Sequence, residues 1–158
     1  MALDSDLTIP SAFVFEAPPV PVGFRLLTAL ACTTSEHRAA VFREMLTLPQ
    51  LDLPLTHSFS KNVYARQISM PADSLVIGKL HATEHLNMVL SGTVSVWSEQ
   101  GGLQHITGPC TFNSVAGTRK YLYNHTDVLW TTIHVTEETD IAAIEAALII
   151  DELCVVEN

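Results

Sequence analysis

The chain has 158 residues, enough for one domain with a hydrophobic core and too few for two full-sized ones. Eight Lys and Arg against 17 Asp and Glu leave a formal charge of −9, which repels a phosphate backbone and argues against nucleic-acid binding. Only 16% of residues are charged while 47% are hydrophobic, and the mean hydropathy is +0.26, so part of the apolar surface is expected to meet another subunit.

Residues 1 to 31 carry Pro10, Pro18, Pro19 and Pro21 among Phe, Val and Leu, without helical spacing or long alternation. Proline favours extended segments and removes donors, so the reading is an arm laid on a surface. Its apolar side chains, Phe13, Val14, Phe15, Val20, Val22, Phe24, Leu26 and Leu27, predict docking on a neighbouring subunit or partner, with folding back over its own barrel as the alternative. The start Met1-Ala2-Leu3-Asp4-Ser5-Asp6 places acids where a secretory leader needs positive charge. No apolar run approaches the roughly 20 residues of a membrane span. A cytoplasmic location without membrane contact is therefore expected.

Residues 32 to 58 read as a short helix and linker. Thr33 and Glu36 form a capping box, Phe42, Met45 and Leu46 share a face, and Leu48-Pro49 ends the run. From residue 59 to 135 the pattern is all-β: 63–68, 74–78, 88–90, 93–97, 111–112, 121–123 and 130–135 are candidate strands, with turns at Ser91-Gly92 and Gln100-Gly101-Gly102. Residues 136 to 158 predict a second helix, capped by Thr136 with Glu137 and Glu138 in its first turn and Ile141, Ile144 and Leu148 on one side, then an acidic tail. Cys32, Cys110 and Cys154 are odd in number and far apart, which fits neither a disulfide framework nor a CxxC metal site, and they are expected in the core. Asn124-His125-Thr126 matches a glycosylation acceptor by chance.

Asp73, Lys79, His81, His85 and Gly92 follow the spacing G(X)5HXH(X)3–4E(X)6G, with Asp73 for the first Gly, Lys79 for the first His and His85 for the Glu. Gly117 and Asn124 fit G(X)5PXG(X)2H(X)3N, with Val115 for the Pro, Lys120 for the His and the opening Gly one place early at Gly108. Over this half of the chain the sequence resembles the cupin family. Leu48-Pro49-Gln50, His57-Ser58-Phe59, Tyr64-Ala65-Arg66 and Glu84-His85-Leu86-Asn87 are similar to the small cupin-like proteins encoded in phage genomes. The resemblance implies an all-β fold: a single cupin-like double-stranded β-helix, or jelly roll, with an extended N-terminal arm and short flanking helices. The high hydropathy, the Pro-rich arm and the loss of two cupin ligands support a phage-type structural or interaction module that forms an oligomer, with a vestigial or modified ligand pocket, located in the virion if phage-encoded.

The residues themselves leave two chemistries open. His81 and His85 lie at even spacing, so in a strand both imidazoles point into one barrel. A metal needs a third ligand, and His134 on the late strand is the best placed; three imidazoles with open positions suit Zn, Fe, Mn or Ni. This supports a metal-dependent isomerase, dioxygenase or lyase, against a hydrogen-bonded histidine pair without metal. Lys79 and Lys120, at cupin ligand positions, would repel a cation and favour a small anion held with Arg119, the alternative to lysines snorkelling to the rim. His37, His57 and His105 read as surface or loop residues, His125 sits in a polar turn, and Glu84 could ligate only through a bulge. No nucleophile and base stand out as a pair.

Overall fold

A computed structural model describes residues 19–150. Two helices, α1 (Val22–Ala31) and α2 (Ser35–Met45), precede ten strands: β1 (Leu55–Ser60), β2 (Val63–Met70), β3 (Leu75–Ile77), β4 (Leu80–His81), β5 (His85–Ser91), β6 (Thr93–Ser98), β7 (Gly102–Thr107), β8 (Cys110–Ser114), β9 (Tyr121–Asn124) and β10 (Val128–Val135). Helix α3 (Ile141–Leu148) and the short β11 (Ile149–Ile150) follow. The strands form an antiparallel sheet of order β1-β2-β10-β5-β8, a second of order β3-β9-β6-β7, and a two-stranded β4-β11 patch. This is the jelly-roll architecture expected from the sequence.

Alternation along the strands decides what faces the interior. Met70, Val89, Val94, Val96, Ile106, Leu122, Val128 and Trp130 form the core between the sheets. The intervening β6 and β9 residues Trp97, Tyr121 and Tyr123 face outward, yet they are buried too, because α1 lies on them through Phe24, Leu27, Leu30 and Ala31. The hairpin between β5 and β6 turns at Gly92, whose φ of +90° suits glycine alone; a Cβ there would stand 2.1 Å from the Asp127 carbonyl oxygen.

Several expectations are corrected. Within the arm expected over residues 1 to 31, residues 22 to 31 are helical and cover their own barrel; residues 1 to 18 lie outside the described residues. The prolines end at Pro21, and beyond them Phe24, Leu27, Leu30 and Ala31 recur at helical spacing, a signal diluted by averaging with the Pro-rich start. Thr34 rather than Thr33 caps α2, its side chain accepting from the His37 N–H at 3.2 Å. Asp140 rather than Thr136 caps α3, accepting from the Ala143 N–H at 2.9 Å, so Glu137 and Glu138 precede the helix. Strands β1 and β7 were not expected. Both lie at sheet edges and are largely exposed, so no buried face imposes an apolar alternation on them. Cys32 is exposed and Cys110 half-buried against the core, while Cys154 lies outside the described residues. Asn124 is fully buried, its amide donating to Ser74 Oγ at 2.8 Å, which removes it as a glycan acceptor. Among the described residues no helix is long and apolar enough to cross a membrane.

Candidate functional site

The β-register arranges the barrel interior in rungs. Met70 pairs with Val128, Ile68 with Trp130, Arg66 with Thr132 and Tyr64 with His134 across β2 and β10. On the next strand Val89 pairs with Trp130 and Asn87 with Thr132, and β8 continues these with Cys110 and Phe112. Polarity rises along this ladder. Asn87 marks the transition: it is fully buried, accepts from Trp130 Nε1 at 3.2 Å and donates through Nδ2 to Ser114 Oγ at 2.9 Å. One rung further stand the imidazoles.

His81 comes from β4, His85 from the start of β5 and His134 from the end of β10. The sequence placed His81 and His85 in one strand; they lie on two, joined by the turn Ala82 to Glu84, and their ring centroids are 4.2 Å apart. His134 stacks on both, at 5.3 Å from His81 and 4.8 Å from His85. Two elements fix this arrangement. Strand β11 pairs Ile149 with His81, and α3 packs Ile144 and Leu148 on Tyr64, whose ring stacks on His134. The C-terminal helix therefore closes the polar end of the barrel.

One ligand atom from each histidine falls within 4.8 Å of the others. Zinc-type M–N bonds of about 2.0–2.1 Å need N···N separations of roughly 3–4 Å, within reach of small ring rotations. His85 Nδ1 lies 3.1 Å from the Thr83 carbonyl, which can only accept, so Nδ1 carries the proton and Nε2 keeps its lone pair. His81 Nδ1 and His134 Nδ1 are buried without hydrogen-bond partners. Burial, reinforced by His85, His134, Lys120 and Arg66, pushes His81 down to about 3. Burial, then His85, Arg66 and Lys120, pushes His134 down to about 4. His85 is also lowered, by burial above all and by Lys120, against the opposing bond to Thr83. At neutral pH the three clustered imidazoles are uncharged, the protonation state a metal requires. The donor set fits Zn, Fe, Mn or Ni.

The three cations expected to share the cavity are separated. Lys120 is buried, its Nζ 3.4 Å from His85 Nε2, and burial lowers its pKa to about 8. Lys79 borders the cavity, but its ammonium pairs with Glu145 Oε1 at 2.8 Å on the half-exposed outer side of α3. Arg119, half-buried, has its guanidinium carbon 4.5 Å above the Phe42 ring of α2. Arg119 and Lys120 are consecutive residues just before β9, and they line different cavities. Glu84 is exposed, with Asn113 Nδ2 3.5 Å from it, so it does not turn inward. His57 is half-buried on β1, 2.7 Å from the Tyr64 hydroxyl, and His105 and His125 both contact Ser95 Oγ on the opposite sheet, at 3.1 and 2.7 Å. His37 is exposed on α2.

The residue that sequence reasoning missed is Arg66. It shares the inner face with Tyr64, Ile68 and Met70, so an apolar alternation interrupted by one arginine was the available signal. It lines a cavity of about 240 Å³ together with His81, Asn87, Lys120 and Trp130. Its Nε is buried without a hydrogen-bond partner.

No known protein family matches the chain, and no curated protein does. Solved structures do. A cupin superfamily protein from Desulfitobacterium hafniense is similar at 10% identity over 56% of this chain and 82% of that one, with a TM-score of 0.46. An RmlC-like cupin with a double-stranded β-helix fold from Methanocaldococcus jannaschii is similar at 7% identity over 54% and 82%, with a TM-score of 0.46. KdgF from Halomonas sp. is similar at 10% identity over 57% and 87%, with a TM-score of 0.47. The two antiparallel sheets packed about a common core form a jelly roll.

Proposed function

We propose that this protein is a small-molecule-binding cupin, of the metal-dependent enzyme type, in which His81, His85 and His134 hold one divalent transition metal beside the cavity. The observation that carries this reading is the pair of buried, unpartnered nitrogens, His81 Nδ1 and His134 Nδ1, in a cluster with a third imidazole whose tautomer is fixed, one ligand atom of each ring lying within 4.8 Å of the others. An unsatisfied buried polar atom costs about 1–3 kcal/mol, and two in one cluster are hard to reconcile with a purely structural core. A metal at this position supplies Lewis acidity toward a carbonyl or carboxylate oxygen of a bound molecule. The chain's own residues contribute orientation through Asn87 and the Thr83 carbonyl, and exclusion of water through α3.

Elemental analysis tests the reading. Protein purified without added metal, then exposed to Zn, Fe, Mn or Ni and dialysed, is expected to retain about one equivalent of one of them. The His81→Ala/His85→Ala/His134→Ala variant is expected to retain none. Wild-type protein that takes up none of the four overturns the reading.

A second reading, an oligomeric structural or interaction module of the phage type, is favoured by the exposed apolar side chains Leu55, Phe59, Val63 and Val135 on and beside the β1 edge. Light scattering tests it: a monodisperse monomer at micromolar concentration removes it.

A further inference from the structure

Three cations line the cavity beside the histidines, and only Lys79 among them forms a salt bridge, to Glu145 outside the lining. The lining includes Arg66 and Lys120 and not one Asp or Glu. The Arg66 side chain makes no hydrogen bond or salt bridge to any described residue, and its Nε is buried. Glu145 of α3 lines a small adjoining cavity together with Arg66, whose charge attracts its carboxylate, but that carboxylate is hydrogen-bonded to Lys79 at 2.8 Å and not to Arg66. Lys120 Nζ has a single partner, the lone pair of His85 Nε2. Arg66 is half-buried, and a guanidinium whose Nε is shut off from water without a hydrogen bond carries a desolvation cost that an anion would offset. The rest of the wall is apolar: Ile68, Met70, Val76, Leu122 and Trp130.

We infer that this cavity is a binding site for a small carboxylic acid anion with an apolar body, its carboxylate held by the Arg66 guanidinium and the Lys120 ammonium beside the three imidazoles. It deepens the reading above by naming the ligand's chemistry, and rests on it only in placing the ligand next to the histidines. A planar carboxylate matches the guanidinium fork bidentately, and Lys120 adds a point charge from the residue just before β9, a strand of the opposite sheet. The cavity, about 240 Å³, is small for a ligand pocket, which favours a compact acid over a sugar chain or nucleotide. The aliphatic and indole wall disfavours inorganic phosphate, whose remaining oxygens would face hydrocarbon. The anion also resolves an electrostatic conflict: a divalent ion beside two cations is repelled, and a carboxylate between them removes that repulsion.

Calorimetric titration of the full, metal-free chain decides it, with benzoate and butyrate as probes, benzamide as the uncharged isostere of benzoate, and inorganic phosphate as the apolar-free anion. The expected result is saturable binding of at least one carboxylate, none of benzamide, and weaker or no binding of phosphate. Arg66→Gln and Lys120→Met are each expected to weaken carboxylate binding by roughly tenfold or more, since each removes a charge-assisted hydrogen bond. Arg66→Lys, which keeps the charge and loses the fork, falls between. Absence of binding by both carboxylates overturns the proposal, as does benzamide binding as tightly as benzoate, phosphate binding more tightly than either acid, or unchanged affinity in Arg66→Gln. Should the variants not fold, the benzoate and benzamide contrast on wild-type protein still decides. Carboxylate binding in a protein that takes up no metal would sink the metal reading and leave this one standing; metal uptake without carboxylate binding does the reverse.

Discussion

The two ends of the barrel interior are built from the same strands and teach opposite lessons. At one end Met70, Val89, Val94, Ile106 and Val128 interlock as a dry core. Two to three rungs along β2, β10 and β5, roughly 15–20 Å, the same inner face presents Tyr64, Arg66, His85 and His134. The apolar end meets the requirements of packing, apart from Asn124 Oδ1 beside Val94, which is buried without a partner. The polar end breaks several, with three unpartnered nitrogens at Arg66, His81 and His134 and a buried lysine against an imidazole. Local rules are broken in folded proteins mainly where function demands it. The difference therefore separates what holds the fold from what the fold holds.

Ile106→Ala should give the largest effect and bears only on the apolar end. It removes a buried side chain opposite Val94 and is expected to cost about 2–5 kcal/mol in urea denaturation. Metal retained per folded chain should stay at the wild-type level. A folded variant that loses its metal would show that the two ends are not separable.

The polar end should respond in the contrary way. Adding the preferred metal at a hundredfold excess over its Kd is expected to raise stability by about 2.7 kcal/mol, and this gain should vanish in His134→Ala. In the metal-free state the same substitution should change stability little, because it removes one unpaired buried nitrogen along with the ring's packing. A large metal-free loss with unchanged metal response would assign His134 to the core instead.

How much of this contrast was legible in the sequence depends on what each part of the chain must do. The inner strands β2, β5, β6 and β10 were visible because one buried face forces alternation, and the Gly92 turn was visible because only glycine tolerates its φ. The edge strands β1 and β7 were not, since one-sided pairing demands no pattern. Helix α1 was hidden by the prolines before it. At the site, parity along β10 could name His134, whereas His81 and His85 were paired by a parity that does not run across the turn between β4 and β5; their mutual distances depend on β11 and α3, distant in sequence. Lys79 misled, because the cupin spacing places it inward and only the tertiary contact with Glu145 turns its ammonium away. Arg66 was legible as an interruption in an apolar stripe, although a side chain's vacant partners can be seen only in three dimensions.

Acid should expose the same difference at smaller scale. His81 is held down to about 3 and His134 to about 4, whereas both titrate near 6.5 in the unfolded chain. Between those values the unfolded state binds more protons, so stability falls as pH drops from about 6.5 toward 4, and these groups contribute no slope above that window. The expected slope is roughly 1 kcal/mol per pH unit for each imidazole. Glu145, held low chiefly by its hydrogen bond to Lys79, loses its contribution only below the ordinary carboxylate range. Urea midpoints of the metal-free protein between pH 7.5 and 5 therefore isolate the histidines. His81→Ala/His134→Ala should flatten the slope, and an equally steep slope in that variant would place the acid sensitivity elsewhere.

The smallest effect belongs to Lys79→Ala, and its smallness is the point. The Lys79–Glu145 pair leaves 45% and 40% of the two side chains exposed, a setting in which ion pairs contribute about 0.2–1 kcal/mol and weaken with salt. Stability is expected to drop by no more than that, and the drop should shrink at high ionic strength. The cupin spacing alone makes a different forecast. A lysine aimed at the histidines would repel a metal and attract an anion, so its removal should tighten metal binding and weaken benzoate binding together. With the ammonium turned to Glu145, neither affinity should move. Lys120→Met removes the cation beside His85 and should shift both, upward for the metal and downward for the carboxylate. If Lys79→Ala behaves like Lys120→Met, the lysine swings inward in solution and the rim of the site is wider than its resting contact implies.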